Sequence, residues 1–418
     1  MNLTFHGGAQ EVGKSLVQLE AKGHSVVFDC GMKLSGEKTL FPPLPPRVDS
    51  LIISHCHLDH SGMSPALWRQ RPLPIYATDL TFEISHLLHK DSIKIAKNKK
   101  EYLPYAKNHI ERMISSEIAV SYEKERRILG DFSLELVDAG HIPGSASILL
   151  GTEEKKILFS GDVRYSDTRL QKAGQTPKAD ILVLESTYGD RNHPPREDSV
   201  KEFTEDVKKT LEQGGVALLP AFAVGRSQEV LMMLFDADIN YPIYIDGMSQ
   251  TVTNLYLQFS EYLADIDKFN NAAKQVNWVR NHKQRKKIVN EPCAIITTAG
   301  MLEGGPVMSY IPQIAQDKKS SIILTGYQVE GTNGRTLVEK GYIEDEYDSK
   351  IPVGIEVKQY DFSAHADQAE MLDAIKKIDP EKVFTMHGDP EVLRIFAEKI
   401  KETGREVVNP ELGSSHVI

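Results

Sequence analysis

Within six positions the chain carries His55, His57, Asp59 and His60, in the stretch S-H-C-H-L-D-H-S over 54–61. Imidazole and carboxylate are the donors that suit zinc. Ligands this crowded cannot all reach one tetrahedral ion from a strand and its turn, so the spacing points to two adjacent ions. A surface cluster of polar residues is the plain alternative, but three histidines and an aspartate rarely coincide at such spacing. The preceding run Ser50-Leu51-Ile52-Ile53 reads as a buried strand. Extended through His57, it would put His55 and His57 on one face and Cys56 on the other. Ser61-Gly62-Met63-Ser64-Pro65 carries turn and helix-start signals, which sets Asp59 and His60 near a helix N-terminus. Cys56 is expected to pack as a small apolar residue away from any metal.

The same device recurs along the chain, because one polar residue after another stands just past an apolar run. Asp29 closes the Ser25–Asp29 run before Gly31, where a carboxylate would accept a hydrogen bond from a ligand histidine and set its tautomer. His141 follows the strand pattern of Leu134–Val137, Asp162 that of Ile157-Leu158-Phe159, and Glu185 ends that of Ile181–Leu184. His365 and His387 follow Ile355–Tyr360 and Lys382–Met386. Functional side chains are commonly held at such strand-to-loop transitions.

Glycine-punctuated strands fill the first ~30 residues. Pro65–Gln70 reads as a short helix, and Thr81 to roughly Ala119 as a polar helical segment that forms a flap over the site. Beyond Tyr188-Gly189-Asp190-Arg191 helix and strand alternate, which implies a parallel sheet flanked by helices. Its loops, Ala223–Gln228, Thr298–Leu302 and Gly326–Arg335, combine glycine with arginine, a pattern that lets backbone N–H groups and a guanidinium approach phosphate. After about residue 350 the strand style of the first region returns. A first fold interrupted by a second domain and then completed is the economical account.

With 418 residues, 40% of them hydrophobic and 26% charged, the chain is long enough for two globular domains. No run approaches the ~20 apolar residues of a membrane span, and Met1–Gln10 lacks the features of a signal peptide, so a cytoplasmic location without membrane association is expected. Cys30, Cys56 and Cys293 are odd in number and far apart, which offers no disulfide framework. The net charge of −10 argues only weakly against a polyanionic ligand, since local clusters such as Arg280–Lys287 matter more.

Taken together, these residues resemble the metallo-β-lactamase superfamily and, within it, the β-CASP nucleases. Asp29, His55–His60, His141 and Asp162 match the general motifs, and Glu185, His365 and His387 match those that mark the β-CASP group. The loops at 298–302 and 326–335 are more similar to archaeal cleavage and polyadenylation specificity factor-like ribonucleases than to ribonuclease J. The resemblance implies an α/β protein: an αββα sandwich over 1–189 and 350–418, with a β-CASP α/β domain of parallel sheet and helices inserted over 190–349. It also implies two zinc ions, with manganese as the alternative. His55, His57 and His141 would hold one ion and Asp59, His60 and His387 the other, with Asp162 bridging and Asp29 supporting from behind. His365 would be the general acid, oriented by Glu185, and Asp59 would help position the nucleophile.

The implied reaction is hydrolysis of single-stranded RNA to a 3′-hydroxyl and a 5′-phosphate, by endonuclease or 5′-3′ exonuclease action, in RNA processing or decay. Arg226, Ser227, Gly300 and Arg335 are the expected RNA contacts, on an inserted domain expected to cover the metal cleft. A homodimer, and membership of a larger RNA-processing assembly, are implied as well. The alternatives are a DNA-acting relative, a small-molecule metallohydrolase and a catalytically silent RNA-binding subunit. The arginine-bearing second domain speaks against the metallohydrolase, and the complete ligand set speaks against the silent subunit.

Overall fold

The computed structural model describes residues 1–34, 38–345 and 347–418. The chain divides into two units. One is Met1–Asp167 with Gln171–Asn192 and Ala364–Ile418; the other is Thr168–Leu170 with His193–Ser363.

In the first unit, successive strand residues are buried on opposite faces. Val26 and Phe28 enter one core and Val27 another, just as Ile181 and Val183 part from Leu182 and Leu184. Strands covered on both sides need apolar residues at every position, which is why these runs are continuous and not alternating. They build two seven-stranded sheets. The first runs in the order Ser415–Val417, Asn2–Gly7, Leu16–Ala21, His24–Phe28, Ser50–Ile52, Ile75–Ala77, Glu117–Ala119. The second runs Glu406–Val408, Lys382–Met386, Ile181–Glu185, Lys156–Phe159, Ala146–Gly151, Phe132–Asp138, Arg126–Ile128.

The inner faces meet in a shared core where Phe28 stacks on Phe159 with ring centroids 5.3 Å apart. Helices Ser64–Gln70, Asp79–Lys99 and Lys107–Met113 cover the outer face of the first sheet through Trp68, Phe82 and Met113. Helices Gln368–Ile378 and Pro390–Glu402 cover that of the second through Met371, Ile375 and Phe396. The layer order is therefore helix, sheet, sheet, helix, with each large buried side chain contributing roughly 1.5–3 kcal/mol.

Two sequence expectations change here. The segment after Thr81 is not one flap: Asp79–Lys99 starts on the Thr78 cap and packs on the sheet, and Glu117–Ala119 becomes a strand paired with Ile75–Ala77. Polar composition marks the helix but hides the one buried side by which it packs on the sheet. The second concerns the return to the first unit, which the sequence puts at 350. The strand Glu356–Gln359 instead pairs in parallel with Ser321–Leu324 and belongs to the second unit. Periodicity reveals a strand but not which sheet it joins.

The second unit is built on a six-stranded sheet in the order Asn277–Trp278, Ile243–Asp246, Cys293–Thr297, Val216–Pro220, Ser321–Leu324, Glu356–Gln359. Every pairing is parallel. Helices such as Arg196–Glu212, Arg226–Asp236 and Val307–Ile314 connect the strands. Among the described residues no helix is long and apolar enough to cross a membrane.

Candidate metal centre

The strand that begins at Ser50 ends at Ile52, so His55 and His57 leave it on a loop, not on one extended face. A four-residue helix, Leu58–Ser61, then carries Asp59 and buries His60. The loop is tightly fitted, since a methyl on Gly31 would sit 1.7 Å from Asp59 O. Gly161, just before Asp162, has φ +59° and a Cβ position 2.7 Å from Ser54 Cβ, so only glycine fits there without strain. Asp162 follows the Lys156–Phe159 strand and Glu185 ends Ile181–Glu185. His387 follows Lys382–Met386 at φ 53°, with its N–H on Gly8 O at 2.6 Å. His365 precedes the helix Gln368–Ile378, which Asp367 caps.

These ends bring the donors together in two groups. His55 Nε2 lies 3.1 Å from His57 Nδ1, His141 Nε2 lies 3.3 Å from it, and Asp162 Oδ2 stands 3.6 Å from His55 Nε2 and 3.8 Å from His141 Nε2. On the other side, His387 Nε2 is 3.3 Å from Asp59 Oδ2, and His60 Nε2 is 3.2 Å from Asp162 Oδ1. Asp162 therefore turns one oxygen to each group.

The outer hydrogen bonds set which ring nitrogens face inward. A carbonyl only accepts, so His141 Nδ1 donates to Ala364 O at 2.9 Å and keeps its Nε2 lone pair. Asp29 accepts from Ser54 N and Oγ, each at 2.7 Å, and from His60 Nδ1 at 2.7 Å. With its proton given to Asp29, Ser54 Oγ accepts from His55 Nδ1 at 3.1 Å. Thr187 Oγ1 donates to Glu185 Oε2 at 2.7 Å and receives His387 Nδ1 at 3.3 Å. Lone pairs of several buried imidazoles thus converge on two points, and His60 Nε2 and Asp162 Oδ1 are buried without a hydrogen-bond partner. Buried polar atoms are ordinarily bonded, so this nitrogen-rich donor set fits a pair of borderline cations.

The electrostatics agree. Burial holds His55, His57 and His141 below the usual histidine range, in the neutral form a cation needs. His60 goes the other way: burial opposes its charge, but Asp162, Asp29 and Asp59 together hold it well above that range. Burial likewise works against charge on Asp162, and the surrounding histidines, His60 foremost, overcome it and hold the carboxyl well below its usual range.

His365 stands beside this cluster with Nδ1 2.9 Å from Glu185 Oε1 and 3.9 Å from Asp162 Oδ2. Burial lowers its pKa, yet the Glu185 carboxylate, with Asp162 behind it, raises the net value to about 9. Glu185 is itself fixed by Val163 N–H at 3.1 Å and by Thr187, and Arg164 Nη1 holds His365 O at 3.1 Å. Cys56 is buried, and burial pushes its thiol up, away from thiolate chemistry.

Along its whole length the chain is 39% identical to "Probable RNase MJ4" of Methanocaldococcus jannaschii, with 99% of each protein covered. Residues 15–218 match the model of the metallo-beta-lactamase superfamily, 227–337 that of the Beta-Casp domain, and 350–410 that of the Zn-dependent metallo-hydrolase RNA specificity domain. The chain belongs to the metallo-beta-lactamase superfamily, in its Beta-Casp branch. Other relatives in the branch are "RNase aCSPSF2" of Saccharolobus solfataricus, 35% identical over 98% of this chain and 84% of that one, and "Transcription termination factor FttA" of Methanosarcina mazei, 33% identical over 98% and 71%. A crystal structure of a protein of unknown function from Enterococcus faecalis V583 shares the fold, with TM-score 0.64 and 16% identity over 100% of this chain and 99% of that one. As a member of this superfamily the protein is a metal-dependent hydrolase.

Several residues that shape this metallo-beta-lactamase centre carry no signal in composition or periodicity. Ser54 and Thr187 stand inside S-H-C-H and E-S-T, and their proximity to ligand positions is the only hint. Arg226, Ser227, Gly300 and Arg335 lie in the second unit. Ser227 is corrected from an RNA contact to a loop support, because it is fully buried and its hydroxyl donates to Phe222 O at 2.7 Å. Gly300 is packed with its Cβ position 3.0 Å from Phe222 N. The Arg226 guanidinium donates to Thr325 O, while Arg335 pairs with Glu339 at 2.6 Å.

Proposed function

We propose that this protein is a ribonuclease that hydrolyses phosphodiester bonds of single-stranded RNA, leaving a 3′-hydroxyl and a 5′-phosphate. One observation carries the reading: a buried carboxylate, Asp162, shared between two donor groups, with a Glu185–His365 pair beside it. His55, His57 and His141 would hold one divalent ion, Asp59, His60 and His387 a second, and five imidazoles among the donors favour zinc over manganese. When bound, such ions would supply Lewis acidity toward a phosphate and a lowered water pKa.

The chain's own residues do the rest. Glu185 orients His365 through Nδ1, and His365 passes its Nε2 proton to the leaving ribose oxygen. Asp29 and Ser54 keep the imidazoles in the right tautomer, and the Asp59 side chain, 32% exposed, is open to solvent. RNA, not DNA or a small ester, is supported by the ribonuclease names of the relatives that align over most of their length. A cytoplasmic location and a homodimer belong to the same reading.

The test is end-labelled single-stranded RNA incubated with zinc-loaded protein and with His365→Ala. Cleavage by the wild type, at least a hundredfold slower in the variant, is the expected result. Failure to cut RNA under any metal condition would overturn the reading. The label also separates internal fragments from mononucleotides released at the 5′ end.

A further inference from the structure

The carboxyl edge of the parallel sheet presents large rings to solvent. Phe222 is 42% exposed and Tyr327 52%. They follow neighbouring strands: Val216–Pro220 and Ser321–Leu324 pair in parallel with Leu218 opposite Ile322, and the same offset carried past the strand ends sets Phe222 level with Gly326. A methyl on Gly326 would lie 3.8 Å from Phe222 Cε2 and 2.9 Å from Arg226 Nη1. One ring, a guanidinium and, one residue further on, a second ring therefore share a single edge. Two exposed rings on one sheet edge, one of them beside a cation, mark a binding surface more than a lone exposed aromatic does.

The backbone beneath the rings is held on both sides. Phe222 O accepts from Ser227 N at 3.1 Å and from Ser227 Oγ at 2.7 Å. Gln328, itself buried, donates through Nε2 to Gly326 O at 3.0 Å and to Gly300 O at 3.2 Å, so the loop bearing Tyr327 is clasped to the Thr298–Leu302 loop. Gly326 adjoins the Phe222 ring and Gly300 its backbone nitrogen, and neither adds a side chain there. Rings on a fixed backbone lose little freedom when a ligand lands on them.

We propose that Phe222 and Tyr327 form a stacking platform for the nucleobases of single-stranded RNA, with the Arg226 guanidinium beside them for the adjoining phosphate. The ligand chemistry follows from complementarity: flat rings next to a cation match a chain that alternates flat bases with anions. Stacking uses the π-face that every base has, so the platform binds without reading sequence. The inference rests on the ribonuclease reading above and extends it to residues of the second unit.

The test measures fluorescence anisotropy of a labelled short adenine oligoribonucleotide on full-length His365→Ala protein, which binds without turnover. The same measurement is repeated with a ribose-phosphate chain of equal length that lacks bases. Phe222→Ala and Tyr327→Ala should each weaken binding of the oligoribonucleotide about tenfold and leave the baseless chain unaffected. Phe222→Tyr and Tyr327→Phe should restore affinity, which separates stacking from loss of folding. Equal affinity of the alanine variants for the oligoribonucleotide, or equal loss for both ligands, would sink the platform while leaving the ribonuclease reading intact. Absence of RNA binding by the parent protein would overturn both.

Discussion

His60 Nε2 and Asp162 Oδ1 lie 3.2 Å apart, both buried and neither aligned for a hydrogen bond. A nitrogen lone pair and a carboxylate oxygen facing each other in a dry site leave room for a cation, or for a proton in its place. The other donors are arranged around that relationship, and Asp162 is the residue common to both groups.

Asp162→Asn keeps the size of the side chain and removes its charge. Metal analysis of purified protein should find about two zinc ions per chain in the wild type and fewer in the variant, with hydrolysis lost. A variant that still holds two ions firmly would show that Asp162 does not bridge.

Glu185→Gln should leave metal content and KM close to wild type and reduce kcat by roughly 10²–10⁴-fold, because the proton donor loses its orienting carboxylate. Steady-state kinetics with a fluorogenic RNA would measure the split. A rise in KM with kcat unchanged would instead assign Glu185 to substrate binding.

Ser54→Ala removes the hydroxyl that joins Asp29 to His55. Zinc affinity, read by competition with a chromogenic chelator, should fall roughly 10–100-fold while the fold persists. Unchanged affinity would mean that Asp29 and the surrounding packing orient the rings unaided.

His89 predicts an acid sensitivity that has nothing to do with catalysis. It is buried, donates through Nε2 to Ser61 O at 2.9 Å, and leaves Nδ1 unbonded. Burial drives its pKa down to about 3 from 6.5. The folded state therefore resists a proton that the unfolded chain accepts, so stability is complete above pH 6.5 and is lost as pH falls through the window between 6.5 and 3. Urea unfolding should show about 2 kcal/mol lost to this residue between pH 7 and pH 5, and His89→Gln should remove that part of the slope. Parallel pH profiles of the two proteins would exclude His89 as the cause.

Where chemistry resides is more legible in the chain than how it is held. Three histidines and an aspartate in six positions name a metal because donor type is written in residue identity. The strand-end placement of Asp162 and His387 is equally visible, since buried strands are continuous apolar runs that stop at the first polar residue. Ser54 and Thr187 are not visible in this way, because a hydroxyl looks the same whether it faces water or carries a proton between a carboxylate and an imidazole. Ser227 misled for a related reason: a helix-start serine beside an arginine suggests phosphate, yet its hydroxyl turns inward to Phe222 O.

Residue type and local period alone mark the His55–His60 donors, the polar residues at strand ends and a second α/β region, whereas the full ligand set and the αββα sandwich enter only through the family resemblance. Only the tertiary structure decided that His60 and His387 face one oxygen of Asp162 while His55 and His141 face the other, that Glu356–Gln359 joins the parallel sheet, and that Phe222 and Tyr327 share one edge. Those facts rest on register, ring orientation and burial between residues up to some hundreds of positions apart, and local periodicity carries no information about contacts at that range.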